Sequence, residues 1–370
     1  EQGFKQDEFD PSVFAWQSAR QDPQVVGSSE LVFSIELAWV SVFQEKLGLR
    51  LANSFLIQAS FNHNSTSDTS ILAYHYSTNR VRKYCKETIF KLDNLGQVTV
   101  KPSLLSPEHL EESFEEVIRF ESPSITPYAF GKPLSLEFVQ LVAADDWKVD
   151  DIGLFFRRYI SFLEVFLQQQ GSWTPNSLLQ GKDKVPGAYF DAIPQNIIIK
   201  PDGSPTLIDV EWKLPDEIDI GMCVFRSILL MLSNVSRVGN QPEGRHYSRL
   251  NFVKEVFKSV GFSDLDEIDI NRYVEIEAIV QEQITGRSRE NFLQWFPGGT
   301  LRSETIVERL HSASKVKEGL EELADQRFRE IKAIENSRSW RMTAPLRNLK
   351  AQIKASERPY LNLVKTHHKI

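Results

Sequence analysis

The sequence predicts an α+β protein with a helical C-terminal extension, and three observations carry that expectation. Residues 54–102 consist of short strand-like runs separated by polar turns, residues 108–170 hold two segments with helical apolar spacing, and residues 188–212 return to short apolar runs broken by turn residues. At 370 residues, 41% hydrophobic and 25% charged, the chain has a globular composition and the length for two or three structural units. Its 43 Lys and Arg against 50 Asp and Glu leave a formal charge of −7, without the broad positive field that sequence-independent nucleic-acid binding needs.

Taken in order, residues 1–50 include Phe33, Ile35, Leu37, Val40 and Phe43 at spacings that permit a helix, in a segment too short for a domain. From Ser54 the runs SFLIQASF, ILAYHYS, VRKYCKETIFKL and GQVTVKP read as an antiparallel sheet, with the polar stretch NHNSTSDTS after the first. Glu108 to Phe120 is helical by its Leu110, Phe114, Val117 and Ile118. Asp150 to Gln170 begins with acidic residues suited to a helix N-terminus and stops before Gly171. GAYFDAIPQN, NIIIK, PDGS and TLIDVEW then read as strand, loop, strand, turn and strand. IGMCVFRSILLML is a buried helix, helical patterns recur at Asn251 to Val260 and Arg272 to Thr285, and FPGGT at Phe296 to Thr300 marks a boundary. Beyond it Ile306, Leu310, Ala313, Val316, Leu320, Leu323, Ile331 and Ile334 recur every three or four residues, as in a short coiled coil or an amphipathic helix packed on its own domain. The tail is basic, with Arg341, Arg347, Lys350, Lys354, Arg358, Lys365 and Lys369, a composition suited to an anionic membrane surface or to a frayed cationic terminus.

Two distant cysteines, Cys85 and Cys223, form neither a disulfide framework nor a zinc site by themselves, and a reducing compartment fits them. His63, His75, His109, His246 and His311 are isolated, His367 and His368 lie in the tail, and HExxH, GxSxG and GxGxxG are missing, which argues against transition-metal, α/β-hydrolase and dinucleotide chemistry. No apolar run reaches the roughly 18 residues of a membrane span. The chain opens on Glu1 without a leader, and a preceding segment is expected.

The stretch Ala188 to Trp212 carries the chemistry. Asp191 and Asn196 flank a loop containing Pro194, and Asp209 follows the apolar run Thr206 to Ile208, where a carboxylate is costly to desolvate unless a cation or several donors meet it. Ordinary turn chemistry accounts for Asp191 and Asn196 taken alone. Together the three oxygen-bearing side chains suit a shared hard cation at Asn196 and Asp209, with Asp191 addressing a hydroxyl.

Asn196 follows Asp191 by five residues and Asp209 follows Asn196 by thirteen, an order and spacing similar to the catalytic loop and metal-binding Asp of protein kinases. FDAIPQNIII with LIDVEW resembles, more narrowly, the kinase-like domain of bacterial bifunctional kinase–methyltransferase proteins that modify O-antigen and other surface polysaccharides. The resemblance covers about Ser54 to Thr300 and implies a bilobal kinase-like fold. Residues 1–50 would be the end of a preceding methyltransferase-like domain, 51–130 an N-lobe, 131–300 a C-lobe, 301–345 a helix or coiled coil, and 346–370 a basic tail. It further implies ATP and Mg2+ as cofactors, with Asp191 acting on the acceptor hydroxyl and Asn196 and Asp209 holding the metal. Lys86 would pair the phosphates, with Lys91 second in line, and Glu112 or Glu115 would partner that lysine. Tyr128 to Leu134 would connect the lobes beside the adenine. SRSWRMTAPLRNL, from Ser337 to Leu349, is similar to a motif of bacterial surface-polysaccharide glycosyltransferases.

Departures from the kinase pattern favour a small hydroxyl acceptor such as a saccharide. No glycine-rich loop covers the phosphates; Tyr189 and Phe190 stand in place of His and Arg, and Val210 and Glu211 in place of Phe and Gly. The implied partners are a glycan acceptor, polysaccharide-assembly glycosyltransferases, the inner face of the plasma membrane through the tail, and further copies through the helix, in a cytoplasmic setting. Two rival readings remain open: a kinase-like scaffold without turnover, and the C-terminal part of a SAM-dependent methyltransferase.

Overall fold

The computed structural model describes residues 9–12, 34–48, 50–51, 68–107, 117–122, 124–171, 179–240, 247–298, 301, 306–337, 340, 342 and 345. The expected strand SFLIQASF, the stretch NHNSTSDTS, Glu112, Glu115 and nearly all of the basic tail lie outside them. The chain divides into two compact units, Glu1–Thr305 and Ile306–Ile370.

The first unit mixes helices with small antiparallel sheets. A four-stranded sheet in the order β1-β2-β3-β5 joins Ile71–Ser77, Lys86–Leu92, Val98–Leu104 and Thr126–Pro127. In its register Ser77 pairs with Lys86, and Lys86 with Leu104, so Lys86 sits in the middle of the sheet at the start of β2. One face buries Phe90 and Val98 against Phe9, whose ring lies 5.4 Å from Phe90 and 5.3 Å from Tyr128. The expectation that Val81 to Leu92 runs as one strand is corrected: Arg82–Tyr84 is a 3-10 turn, and the strand opens only at Lys86.

Arg119–Phe120 (β4) also departs from expectation, pairing as a strand with Trp212–Lys213 (β10) instead of ending a helix. The reason is aromatic packing. Tyr84, Phe120 and Trp212 form a triad with ring centroids 4.8–5.1 Å apart, and burying those rings favours a paired strand at Arg119–Phe120, while residues 108–116 of the expected helix lie outside the described residues. Lys132–Pro133 (β6) pairs with Ile197–Ile199 (β8), which pairs with Pro205–Leu207 (β9), so Tyr128 to Leu134 links the four-stranded sheet to a three-stranded one.

The main core lies among helices α2 (Ser135–Ala143), α3 (Val149–Gln169), α4 (Ile220–Leu232), α5 (Arg249–Val260), α6 (Glu267–Thr285) and α7 (Arg289–Gly298). α3 begins one residue before the expected Asp150, presents Ile152, Phe155, Phe156, Tyr159, Leu163 and Phe166 on one buried stripe, and is followed by Gly171 at φ +69°. Nearly every side chain of α4 is buried, as its apolar run predicts. α6 starts with a reciprocal capping box between Asp266 and Asp269. α7 crosses Phe296, which the sequence marks as a break; its buried ring packs 5.5 Å from Phe225 and holds the helix through that point. Helix α1 (Ile35–Gln44) is anchored by the buried carboxylate of Glu36, which accepts a 2.8 Å bond from the backbone N–H of Ser236.

The second unit contains α8 (Ile306–Asn336), where Leu320, Leu323, Phe328 and Ile331 are exposed. Among the described residues no helix is long and apolar enough to cross a membrane.

Candidate functional site

Immediately before β8 the chain makes a pair of 3-10 turns, Gly187–Asp191 and Pro194–Asn196, in place of the expected strand at GAYF. Two contacts force the tight path. A Cβ at Gly187 would overlap the carbonyl oxygens of Leu214 and Asp216, so the loop approaches that segment as only glycine allows. The Tyr159 hydroxyl donates to the Ala192 carbonyl at 2.9 Å from the buried face of α3. Asp191 is thereby held 4% exposed, above the helical core.

β9 ends at Leu207, and the expected strand through Asp209 is interrupted because Asp209 adopts φ +52°, in the left-handed region that Asp tolerates better than most residues. The turn is fixed on both sides. Ile208 N–H donates to the Asn196 carbonyl at 2.8 Å, while the Asn196 amide donates to the Asp191 carbonyl at 2.9 Å and to the Asp209 carbonyl at 3.4 Å. Both neighbours of that amide group are acceptors, so its Nδ2 must face them, and Oδ1 is left as the atom offered to a cation.

From the sheet, Lys86 reaches across. Its ammonium lies 2.6 Å from Asp209 Oδ1 and is also paired with Glu211 Oε1, and the side chain is 2% exposed. The carboxylate of Asp209 stays 52% exposed. Glu211 is buried, its Oε2 takes Arg80 at 2.8 Å, and its backbone N–H donates to Asp191 Oδ2 at 3.1 Å. Four residues singled out from the sequence, Lys86, Asp191, Asn196 and Asp209, therefore meet in one place. Lys91 does not, since it pairs with Asp68 at 2.7 Å. Glu112 and Glu115 lie outside the described residues.

Beneath Asp191 the guanidinium of Arg226, on α4, lies 4.1 Å from the Phe190 ring centroid. It is committed to Glu277 of α6 at 2.6 Å and reaches Asp191 Oδ1 only at 3.6 Å. Burial consequently dominates the ionisation of Asp191 and pushes its carboxyl from the ordinary 3.8 up to about 7, against the opposing pull of Arg226 and the Glu211 N–H. His75, on β1 opposite Thr88 of β2, has its pKa lowered by burial and next by Lys86, with Asp209 opposing.

Among the described residues no group of three or more His, Cys, Asp and Glu is arranged to hold a metal. Asn196 Oδ1 and the exposed carboxylate of Asp209 supply hard oxygens from two protein residues, a set that fits magnesium, which keeps waters and phosphate oxygens as its other ligands. Sequence reasoning missed Glu211 as a partner of Lys86, Arg80 as its second cation, and Arg226 under Asp191. A signal for Glu211 was present in the alternation of IDVEW, which repeats a carboxylate two residues after Asp209. Comparison of the chain with family models, curated proteins and solved structures finds no match.

Proposed function

We propose that this protein is a bilobal, kinase-like phosphotransferase that moves the γ-phosphoryl group of ATP to a saccharide hydroxyl in the modification or chain termination of bacterial surface polysaccharide. The observation that carries the reading is the meeting of Lys86, Asp191, Asn196 and Asp209, contributed by segments up to 123 residues apart in the chain. A buried ammonium beside an exposed carboxylate gives phosphate oxygens a cation to pair with, and a carboxyl with a pKa near neutrality suits transient acceptance of a hydroxyl proton. Asn196 and Asp209 would hold magnesium, which when bound neutralises developing charge on the phosphates. Asp191 would orient the acceptor hydroxyl from its fixed 3-10 turn.

The resemblance in FDAIPQNIII and LIDVEW supports the polysaccharide context, and the exposed Leu320, Leu323 and Ile331 of α8 support association with a second copy or a glycosyltransferase. Membrane contact through the basic tail belongs to the same proposal.

Thermal shift with Mg-ATP tests it. Stabilisation should require the metal and disappear in Asp209→Ala, and labelled ATP offered with lipid-linked or synthetic glycans should label one acceptor class. A wild-type protein whose melting point ignores Mg-ATP would leave the scaffold reading in its place.

A further inference from the structure

Lys86 is the most buried cation at the site, and Asp209 alone is a poor counter-charge for it. Asp209 is half open to solvent and is the carboxylate that a metal would claim, so a lysine held only by Asp209 would lose much of its compensation whenever the metal bound. Glu211 removes that conflict. Its two oxygens are divided between Lys86 and Arg80, and the Arg80 guanidinium in turn lies 5.7 Å from the Trp212 ring centroid. The backbone carrying the carboxylate is equally fixed. The Glu211 N–H is bound to Asp191, its carbonyl accepts from Glu121 N–H at 2.8 Å, and the next residue is locked in the Tyr84–Phe120–Trp212 triad.

We propose that Glu211 is the positioning residue for Lys86, directing its ammonium at the nucleotide's phosphates in the role the family resemblance gives to Glu112 or Glu115, with Arg80 holding Glu211 in place. This rests on the nucleotide-site reading above. It makes the lysine's support and the metal ligand part of one five-residue segment, Asp209 to Lys213, so the phosphate-binding cation stays registered to the metal position. Glu211 itself touches neither metal nor phosphate in this scheme and acts through Lys86 alone.

Calorimetric titration of the full chain with Mg-ATP and, separately, with adenosine tests the assignment, because only the first ligand carries phosphates. Glu211→Gln should weaken Mg-ATP binding about tenfold, the worth of one charge-assisted contact, and leave adenosine unchanged. Glu211→Asp should recover most of the loss, and Arg80→Met should reproduce a smaller loss of the same kind. In the Lys86→Met background Glu211→Gln should add nothing, since its effect passes through the lysine. Equal weakening of both ligands, an unchanged or tighter Mg-ATP affinity, or additive losses in the double variant would each overturn the assignment while leaving the nucleotide site standing. Should Glu211→Gln fail to fold, the same ATP-against-adenosine split is read from Glu211→Asp and Arg80→Met. A wild-type chain that binds neither ligand would instead remove the kinase reading, and this proposal with it.

Discussion

Replacing Asp191 by Asn should stabilise the protein at neutral pH and, under the proposed function, abolish phosphoryl transfer. A carboxyl whose pKa rises from 3.8 to about 7 on folding binds a proton more tightly in the native state than in the unfolded one. Below about pH 4 both states are protonated and the group contributes nothing. Between there and pH 7 the native state retains the proton that the unfolded state has lost, so stability falls as pH rises, and the full penalty is present above pH 7. A rise of that size corresponds to about 4 kcal/mol as an upper bound, at about 1.4 kcal/mol per pKa unit. Asn can keep the bond from Glu211 N–H through its carbonyl oxygen, but its amide would face Arg226 across the present 3.6 Å, which offsets part of the gain. A net stabilisation of about 1–3 kcal/mol at pH 8, shrinking toward zero or reversing by pH 4.5, is expected. Urea unfolding of both proteins across that range, followed by tryptophan fluorescence, measures it. A difference that does not vary with pH, or that grows toward acid, would refute the claim that burial outweighs Arg226 at this carboxyl.

Two further substitutions check the scaffold that places the site. Gly187→Ala should cost about 2–3 kcal/mol, because its methyl group would overlap the Leu214 and Asp216 carbonyls, and wild-type stability in urea would show that the loop does not approach them so closely. Tyr84→Ala, removing a ring 1% exposed and in contact with Phe120 and Trp212, should cost about 3–5 kcal/mol in the same assay, and a loss below about 1 kcal/mol would mean that the triad does not clamp β4 to β10.

Local pattern reached some parts of this molecule and not others. β1, β3 and α3 were legible because each holds one periodicity and meets a core on one side, and α4 because its near-continuous apolar run is buried all round. The spacing from Asp191 to Asn196 to Asp209 was legible because residue type and interval survive without knowledge of backbone path. The strand expected at GAYF was not found, since the tight 3-10 path there is imposed by the Leu214–Asp216 segment, which is distant in sequence and sends no local signal. Phe9 likewise looks like one residue of an irregular entry, yet its ring is the centre of the sheet's small core. Arg80 and Arg226 were invisible for the same reason: a surface-type residue becomes a site residue only when a carboxylate more than fifty positions away is folded against it.

The left-handed turn at Asp209 explains why the carboxylates of this segment split in the way they do. Along a regular strand Asp209 and Glu211 would point to the same face and present two adjacent negative charges to one environment. At φ +52° the backbone turns between them instead, at a cost of order 1 kcal/mol for a residue other than glycine. The cost is sustained by the Asn196 amide on the Asp209 carbonyl and by the Ile208 bond to Asn196, so the turn and the Asp191–Asn196 loop stabilise each other. The result is one carboxylate buried between two cations and another half exposed at the same lysine, which separates a fixed structural charge from one free to exchange partners. Glycine at 209 would relieve the backbone but remove the exchangeable charge, whereas Asn would keep the turn, since it shares the tolerance of Asp for this region. Asp209→Asn is therefore the sharper comparison with Asp209→Ala: both lose the charge beside Lys86, but only the alanine variant also carries the full conformational penalty of a side chain unsuited to positive φ.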